Sequence, residues 1–183
     1  MKTYIKYLFI ALAFLACDND DDNNNDNPID QLPPMTTTGE NTIGCLVNGE
    51  PFTDSGLMNN FYQFVGGDYF LVINWEKGFP GNFKDGQISI RNTEIEEGET
   101  YLLNYDNSTG EDFIGGSANY TFVKNSNSGE YNTNPNYFGE ITFNRFDNVN
   151  NIMSGVFEFE AEDINTGEII LITNGRFDLT FTN

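Results

Sequence analysis

Residues 157–162 alternate strictly between apolar and acidic side chains, and this period of two limits what the chain can fold into. The segment reads Phe-Glu-Phe-Glu-Ala-Glu, directly after Val156, which interrupts the rhythm. In an extended strand, successive side chains point to opposite faces of the sheet. Phe157, Phe159 and Ala161 therefore share one face. The pattern predicts a strand with its aromatic rings in a core and its carboxylates in water.

Similar runs of aromatic and β-branched residues, separated by Gly, Asn and Asp, continue from residue 41 to the end of the sequence. They show no helical period with caps, so they are typical of an all-β domain. Asn48-Gly49 is the strongest hairpin signal, because this pair accepts the positive φ angles of a type I′ turn. The continuous apolar run Ile169–Ile172 suits a central strand or one covered on both faces. The predicted strands are Thr42–Val47, Glu50–Thr53, Phe61–Val65, Tyr69–Trp75, Gly86–Asn92, Thr100–Tyr105, Ala118–Val123, Phe138–Phe146, Ile152–Glu162 and Glu168–Thr182.

These strands predict one domain over residues 41–183. Short antiparallel strands with no helix between them favour a β-sandwich or a small β-barrel of about 8–10 strands.

The first sixteen residues predict a secretory signal peptide. Two lysines precede the apolar run Tyr7–Ala16, which is too short to span a bilayer and ends in a small residue before Cys17. This arrangement resembles a bacterial lipoprotein signal, although Phe14 stands where leucine is commoner. The resemblance implies cleavage before Cys17 and attachment of a diacylglyceryl group to its thiol, with palmitate-type chains anchoring the protein in the outer membrane.

Residues 17–40 are predicted to be a disordered tether. The run Asp18–Asp30 is almost entirely polar, so it cannot bury enough surface to offset the entropy of ordering. It resembles the acidic export signal of surface-exposed lipoproteins in Bacteroidetes-type bacteria, which implies display at the cell surface. An ordinary acidic spacer stays open as an alternative. Calcium ligation by Asp18, Asp20 and Asp22 is disfavoured, because the glycine and glutamate of an EF-hand loop are absent.

The composition excludes several functions. The chain has 28 acidic and 8 basic residues and a formal net charge of −20, which argues against nucleic acid as a partner. It contains no histidine, which removes Ser-His-Asp catalysis and histidine metal ligands. With Cys17 acylated, Cys45 has no partner for an intramolecular disulfide, and its apolar neighbours predict a buried thiol. We expect no cofactor and no metal.

Two sequence blocks near the ends of the domain carry a family resemblance. Residues 41–52 read NTIGCLVNGEPF, and residues 152–161 (IMSGVFEFEA) are followed by ILITNGRFD at residues 170–178. The blocks resemble a group of lipoprotein domains of unknown function from Bacteroidetes-type bacteria. The resemblance implies a secreted β domain, and it brings no catalytic or binding residue with it.

Charged residues form two patterns that bear on function. Glu158, Glu160 and Glu162 would lie ~6.5–7 Å apart along one face of a strand, a separation that inverting glycosidases use. Their alternation with apolar residues instead favours a solvated face, and a weak calcium site with Asp163 is a minor alternative. The triplet Arg-Phe-Asp occurs at residues 145–147 and 176–178. Each arginine either grips a ligand carboxylate or sulfate or, as we favour, forms an ion pair or binds loop carbonyls.

Aromatic residues make up 15% of the chain, and some could stack on sugars. The segments 78–83 and 125–137 read as polar, ring-bearing loops where recognition would reside. The candidate ligand contacts are Trp75, Phe79, Tyr131 and Tyr137. We therefore expect a surface-anchored, non-enzymatic β domain that binds an extracellular ligand such as a glycan. An interaction subunit of a cell-envelope complex is the alternative, and a glycoside hydrolase is disfavoured.

Overall fold

Eleven β-strands make up most of the computed structural model, which describes residues 27–54, 59–109 and 112–183. The predicted signal peptide, Cys17 and the acidic run up to Asp26 lie outside these residues. Within them the secondary structure is β-strand with two short 3₁₀ helices, so the prediction of an all-β fold is confirmed. No helix in the described ranges is long and apolar enough to cross a membrane.

The strands belong to one sheet in the order β2-β1-β11-β10-β9-β6-β7-β5-β4-β3, with β8 pairing both β7 and β10. All pairings are antiparallel except the contact of β6 with β7. The two 3₁₀ helices span Pro28–Gln31 and Asn107–Thr109. The strands are β1 (Thr42–Val47), β2 (Glu50–Asp54), β3 (Phe61–Val65), β4 (Asp68–Phe79), β5 (Asn82–Arg91), β6 (Thr100–Leu103), β7 (Gly115–Lys124), β8 (Asn127–Asn132), β9 (Gly139–Asp147), β10 (Ile152–Asp163) and β11 (Ile169–Thr180).

The sheet curls until strand β3 meets the chain that follows β11. The backbone N–H of Tyr62 donates to the carbonyl of Thr182 at 2.9 Å, and the N–H of Thr182 donates to the carbonyl of Asn60 at 2.9 Å. Strand β1 pairs with residues 172–178 of β11, whereas β3 meets the chain at Thr182. Strands β1 and β3 therefore lie on the same side of this segment, one after the other along its length. The fold is therefore barrel-like, and the inner face of the curled sheet encloses the core.

All eleven strands contribute side chains to a single hydrophobic core. Its largest fully buried side chains include Trp75, Tyr120, Phe143 and Phe159. Trp75 lies opposite Gly86 on the neighbouring strand, and a Cβ at Gly86 would come within 2.2 Å of the indole Cζ2 atom. Glycine is therefore required there, because any side chain would displace the indole from the centre of the core.

The strand predictions hold in most of the domain and differ at two loops. Segment 125–137, predicted as a recognition loop, instead contains β8. Segment 78–83 is a tight hairpin, because β4 extends to Phe79 and β5 begins at Asn82. At Asn48-Gly49 both residues have positive φ angles, 49° and 85°, as the predicted type I′ turn requires.

The apolar run at the start of β11 is covered on one face only. Strand β11 is central, between β1 and β10. Ile170 and Ile172 point into the core, whereas Ile169 and Leu171 are 39% and 43% exposed. Of the two predicted alternatives, a central strand is therefore confirmed, and burial on both faces is wrong, because nothing in the described ranges covers the outer side chains of Ile169 and Leu171.

Residues 32–40, which we call the strap, lie across the outer face of the sheet. Leu32 is buried, and Pro33 lies so close to Gly44 that a Cβ on this glycine would be 2.6 Å from the proline Cδ. The 3₁₀ helix before the strap packs on β2. Residues 28–40 therefore pack on the β domain, although the sequence predicts them as part of a tether, because the strap is fixed by specific contacts.

The repeated Arg-Phe-Asp triplets supply those contacts. The Arg145 guanidinium donates to the carbonyl of Thr37, and Arg176 donates to the carbonyl of Pro33 at 3.4 Å. Arg145 also forms an ion pair with Asp147 at 2.7 Å. The prediction that the arginines of the triplets form ion pairs or bind loop carbonyls is therefore confirmed.

Asp178, the acid of the second triplet, is on β11 and forms hydrogen bonds with the strap that lies over it. Its side chain accepts four hydrogen bonds, from the Thr36 hydroxyl at 2.7 Å and from the backbone N–H groups of Thr38 (3.0 Å), Gly39 (2.7 Å) and Glu40 (3.2 Å). The residue is only 1% exposed. Burial by itself raises the pKa of this carboxyl, but the four hydrogen bonds outweigh it and lower the pKa below its usual range.

Candidate ligand-binding site

The four predicted ligand-contact residues are spread over the domain. Trp75 and Tyr131 are 1% and 6% exposed, so burial removes both rings from any surface on which a ligand could stack. Phe79 is 64% exposed at the tip of the β4–β5 hairpin, and Tyr137 is half-buried before β9. None of the four lines the hollow described next.

A different set of aromatic side chains lines a hollow of about 550 Å³ at the edge strand β3, which we call the aromatic hollow. Strand β3, the start of β4, the loop before β6 and the β9–β10 turn all contribute to it. Its lining residues are Tyr62, Gln63, Phe64, Val65, Tyr69, Glu94, Asn148 and Asn183.

The exposure of Phe64 in the aromatic hollow is explained by the alternation of side chains in β3. Tyr62 and Phe64 are two residues apart and share a face. The core ends at Tyr62, which is 6% exposed, so Phe64 lies beyond it and is 61% exposed. The turn at Gly66-Gly67 then places Tyr69 directly opposite Phe64 on β4. Their ring centroids lie 4.7 Å apart.

Tyr62 forms a fixed floor beneath these rings. Its ring stacks on Tyr69 with centroids 5.6 Å apart and an interplanar angle of 11°. It also meets Phe146 edge-on at 4.9 Å. Its hydroxyl accepts a hydrogen bond from the backbone N–H of Ile95 at 3.2 Å. Contacts on three sides therefore hold the floor in place, which lowers the entropic cost of presenting the platform to a ligand.

Polar side chains form the rim of the aromatic hollow. Two amides, those of Asn148 and Asn183, provide both donors and acceptors, and the Glu94 carboxylate accepts only. The pKa of the Tyr69 hydroxyl is raised, first by burial and then by hydrogen bonding to Glu94 and by its negative charge. Tyr69 therefore keeps its proton at neutral pH.

None of the rings of the aromatic hollow is among the ligand contacts predicted from the sequence, and Phe64 is the most exposed of the rings that were missed. Two signals point to it. The segment FYQFV ends in Gly66-Gly67, which marks a tight turn, and the apolar alternation runs on to the last residues before this turn. Phe64 is on the core-facing side of β3 but next to this turn. Its ring therefore extends past the edge of the core, because the strands that face it have already ended.

The glutamate row of β10 is solvated. Glu158 and Glu160 are exposed, and Glu162 is half-buried with its side chain accepting from the Asn134 amide at 3.2 Å. Asp163 points inward and caps the turn that follows, accepting from the backbone N–H of Asn165 at 2.8 Å. Among the described residues no group of three or more Cys, Asp or Glu side chains has the geometry to hold a metal ion.

Comparisons with protein-family models, with curated proteins and with solved structures found no match. The resemblance of the two end blocks to lipoprotein domains therefore stays a prediction.

Proposed function

We propose that this chain is a lipid-anchored protein of the bacterial outer membrane, displayed at the cell surface, whose β domain binds a glycan without catalysing its cleavage. The location rests on the apolar run Tyr7–Ala16, on Cys17 and on the acidic residues after it. Acylation of Cys17 would hold the domain on the membrane, because each buried CH₂ contributes about 0.8 kcal/mol and more than one chain binds stably.

The ligand class rests on the aromatic hollow. Sugar rings expose C–H groups on their faces, which pack on aromatic rings, and hydroxyls at their edges, which need donors and acceptors. The rings of Phe64 and Tyr69 supply the first contact, and the amides of Asn148 and Asn183 supply the second. A volume of about 550 Å³ falls within the range of small-molecule sites.

The charge of the lining narrows the class of glycan. Among the described residues that line the aromatic hollow there is no Lys or Arg, so nothing there would neutralise a uronic acid or a sulfate. One acidic side chain, that of Glu94, is present among them, whereas glycoside hydrolysis ordinarily uses a pair of acidic side chains. The hollow therefore favours binding of a neutral glycan over hydrolysis.

A glycan array probed with the purified chain tests the proposal. We expect binding to neutral glycans, and Phe64→Ala should weaken it by at least tenfold, because the ring supplies most of the exposed stacking surface. Phe79→Ala is the matched control, since the two rings are 61% and 64% exposed and Phe79 lies at another site. Binding that survives Phe64→Ala, or that Phe79→Ala reduces equally, would rule out the aromatic hollow.

A further inference from the structure

The outer face of β6, β9, β10 and β11 carries a second surface of different chemistry, which we call the acidic groove. Large apolar side chains are exposed along it: Leu102 by 56%, Phe138 by 53%, Leu171 by 43% and the strap residue Met35 by 60%. Single exposed apolar residues are ordinary, but several on one face indicate a contact surface.

Two neighbouring hollows on this face make up the acidic groove. One has a volume of about 330 Å³ and reaches from Met35 and Arg176 to Val156. The other has a volume of about 400 Å³ and lies between Phe138 and Leu171. Glu140 and Glu158 line both hollows, so the two hollows adjoin at these residues along the middle of the sheet.

Carboxylates are placed at the centre of the groove without cationic partners. Glu140 and Glu158 are directly opposite each other on β9 and β10, an arrangement in which like charges repel. Arg176 is the single cation among the described residues that line the groove, and its guanidinium donates to the backbone carbonyls of Pro33 and Asn174. Within the described ranges none of the glutamates of the groove forms an ion pair.

Apolar side chains flank the next carboxylate along β10. Glu160 pairs with Leu171 on β11, and its backbone N–H donates to the carbonyl of Phe138 at 3.1 Å. The carboxylate therefore lies between two exposed apolar side chains. This combination suits lysine or arginine, whose aliphatic stem packs on apolar surface while the charged end reaches an acid.

We propose that the acidic groove docks a basic, extended segment of a partner protein, with lysine or arginine at every second position. Same-face side chains on a strand are ~6.6 Å apart, so a segment with this period matches Glu158 and Glu160. The apolar walls at Phe138 and Leu171 receive the aliphatic stems. Nucleic acid, anionic lipid and a second copy of this chain, whose net charge is −20, are all repelled by the same carboxylates.

The proposal is tested with a fluorescein-labelled peptide of four Lys-Ser repeats and the purified full chain, by fluorescence anisotropy at low salt. We expect the double variant Glu158→Gln, Glu160→Gln to weaken binding at least fivefold. The control is Glu76→Gln, Glu130→Gln, which changes the net charge equally at exposed positions on other strands. It should weaken binding less than twofold.

A further variant separates docking from diffuse attraction. Leu171→Ser should weaken binding about threefold without changing the urea midpoint, because this side chain is on the outer face. Equal losses in the two double variants, or no effect of Leu171→Ser, would overturn the proposal, since either result means that the peptide senses net charge alone. Sedimentation is expected to show a monomer, and a dimer that Leu171→Ser dissociates would assign the groove to a second copy instead. All of these outcomes are independent of glycan binding at the aromatic hollow.

Discussion

Replacing Asp178 by Asn tests whether the strap is held by one buried carboxylate. Asp178 accepts hydrogen bonds from the Thr36 hydroxyl and from the N–H groups of Thr38, Gly39 and Glu40. An asparagine keeps one acceptor oxygen and places an NH₂ group where the second oxygen was. In either orientation of the amide, at least one strap donor then faces another donor.

The expected loss follows from the number and kind of these contacts. A hydrogen bond to a charged group contributes about 1.5–3 kcal/mol, and a buried donor left without an acceptor costs about 1–3 kcal/mol. Such contributions are not additive, and the strap can open to let water satisfy the free donors. We therefore expect Asp178→Asn to lower the free energy of unfolding by about 2–3 kcal/mol, close to the value of a single charged hydrogen bond.

Urea denaturation measures the free energy, and hydrogen exchange locates the change. Deuterium uptake at neutral pH should rise in a peptide covering residues 36–41, because the N–H groups of Thr38, Gly39 and Glu40 lose their acceptor. Asp112→Asn is the control for charge, since this side chain is 97% exposed and 3.8 Å from Arg91. A variant at Asp178 that unfolds within about 0.5 kcal/mol of the parent, with unchanged uptake in the strap, would refute the reasoning.

The same contacts predict a dependence on pH. The pKa of Asp178 is lowered in the folded state, so its contribution is fully present above the unfolded value of about 3.9 and is lost as the pH falls through the lower folded value. The difference in unfolding free energy between the parent and Asp178→Asn should therefore be constant near neutrality and shrink below about pH 4. A difference that grows in acid would contradict this sign.

Four further predictions concern the core and the N-terminal region. Phe159→Ala should cost about 3–5 kcal/mol, because the ring is 2% exposed in the core, whereas the exposed Glu160→Ala should change stability by less than about 0.5 kcal/mol; urea denaturation of both decides. Burial raises the pKa of the Cys45 thiol to about 12, so a thiol reagent at pH 8 should modify it only after unfolding, and rapid labelling of the acylated, folded protein would contradict this. Cys17→Ser should move the protein from the membrane fraction to the soluble fraction, and a processed variant that stays with membranes would contradict the lipid anchor. Alanines in place of the aspartates within 18–22 should leave acylation intact but protect the protein from external protease on whole cells; equal digestion would make this segment a spacer.

The parts of the fold that the sequence predicts are those governed by a local period or a turn. The alternation of Phe157, Glu158 and Phe159 identifies both faces of β10, because the pleat leaves no other way to separate apolar from charged side chains. Asn48-Gly49 likewise identifies its hairpin from two residues whose positive φ angles few other pairs adopt. Both features depend on neighbours in the sequence alone.

The parts that the sequence does not predict depend on distant contacts. Strand β8 is rich in Asn, Ser and Gly, which are poor strand formers, and it exists because β7 and β10 both offer hydrogen-bonding partners. Its pairing buries Tyr131, which is why this ring is unavailable as a ligand contact. The strap shows the same limitation. Its Pro and Thr residues predict a linker, but in the folded chain the N–H of Thr38 donates to Asp178, about 140 positions later in the sequence.

The aromatic hollow depends on how five separate segments of the chain meet. Phe64 is exposed because the core ends at Tyr62, and Asn148 and Asn183 reach the hollow from a turn and from the chain after β11. Alternation within β3 predicts the face of the sheet on which each side chain lies. It does not predict how far along β3 the facing strands extend, and this is what leaves Phe64 exposed.

The fixed strap also sets how far the domain can stand from the bilayer. If Cys17 carries the lipid, residues 18–27 are the whole length of chain between the membrane and the first 3₁₀ helix at Pro28. Ten residues span at most about 35 Å even when fully extended. A tether that ran to residue 40 would reach more than twice as far. The domain would then sample only a thin layer above the membrane, so ligands and partners would have to come within that layer to be bound.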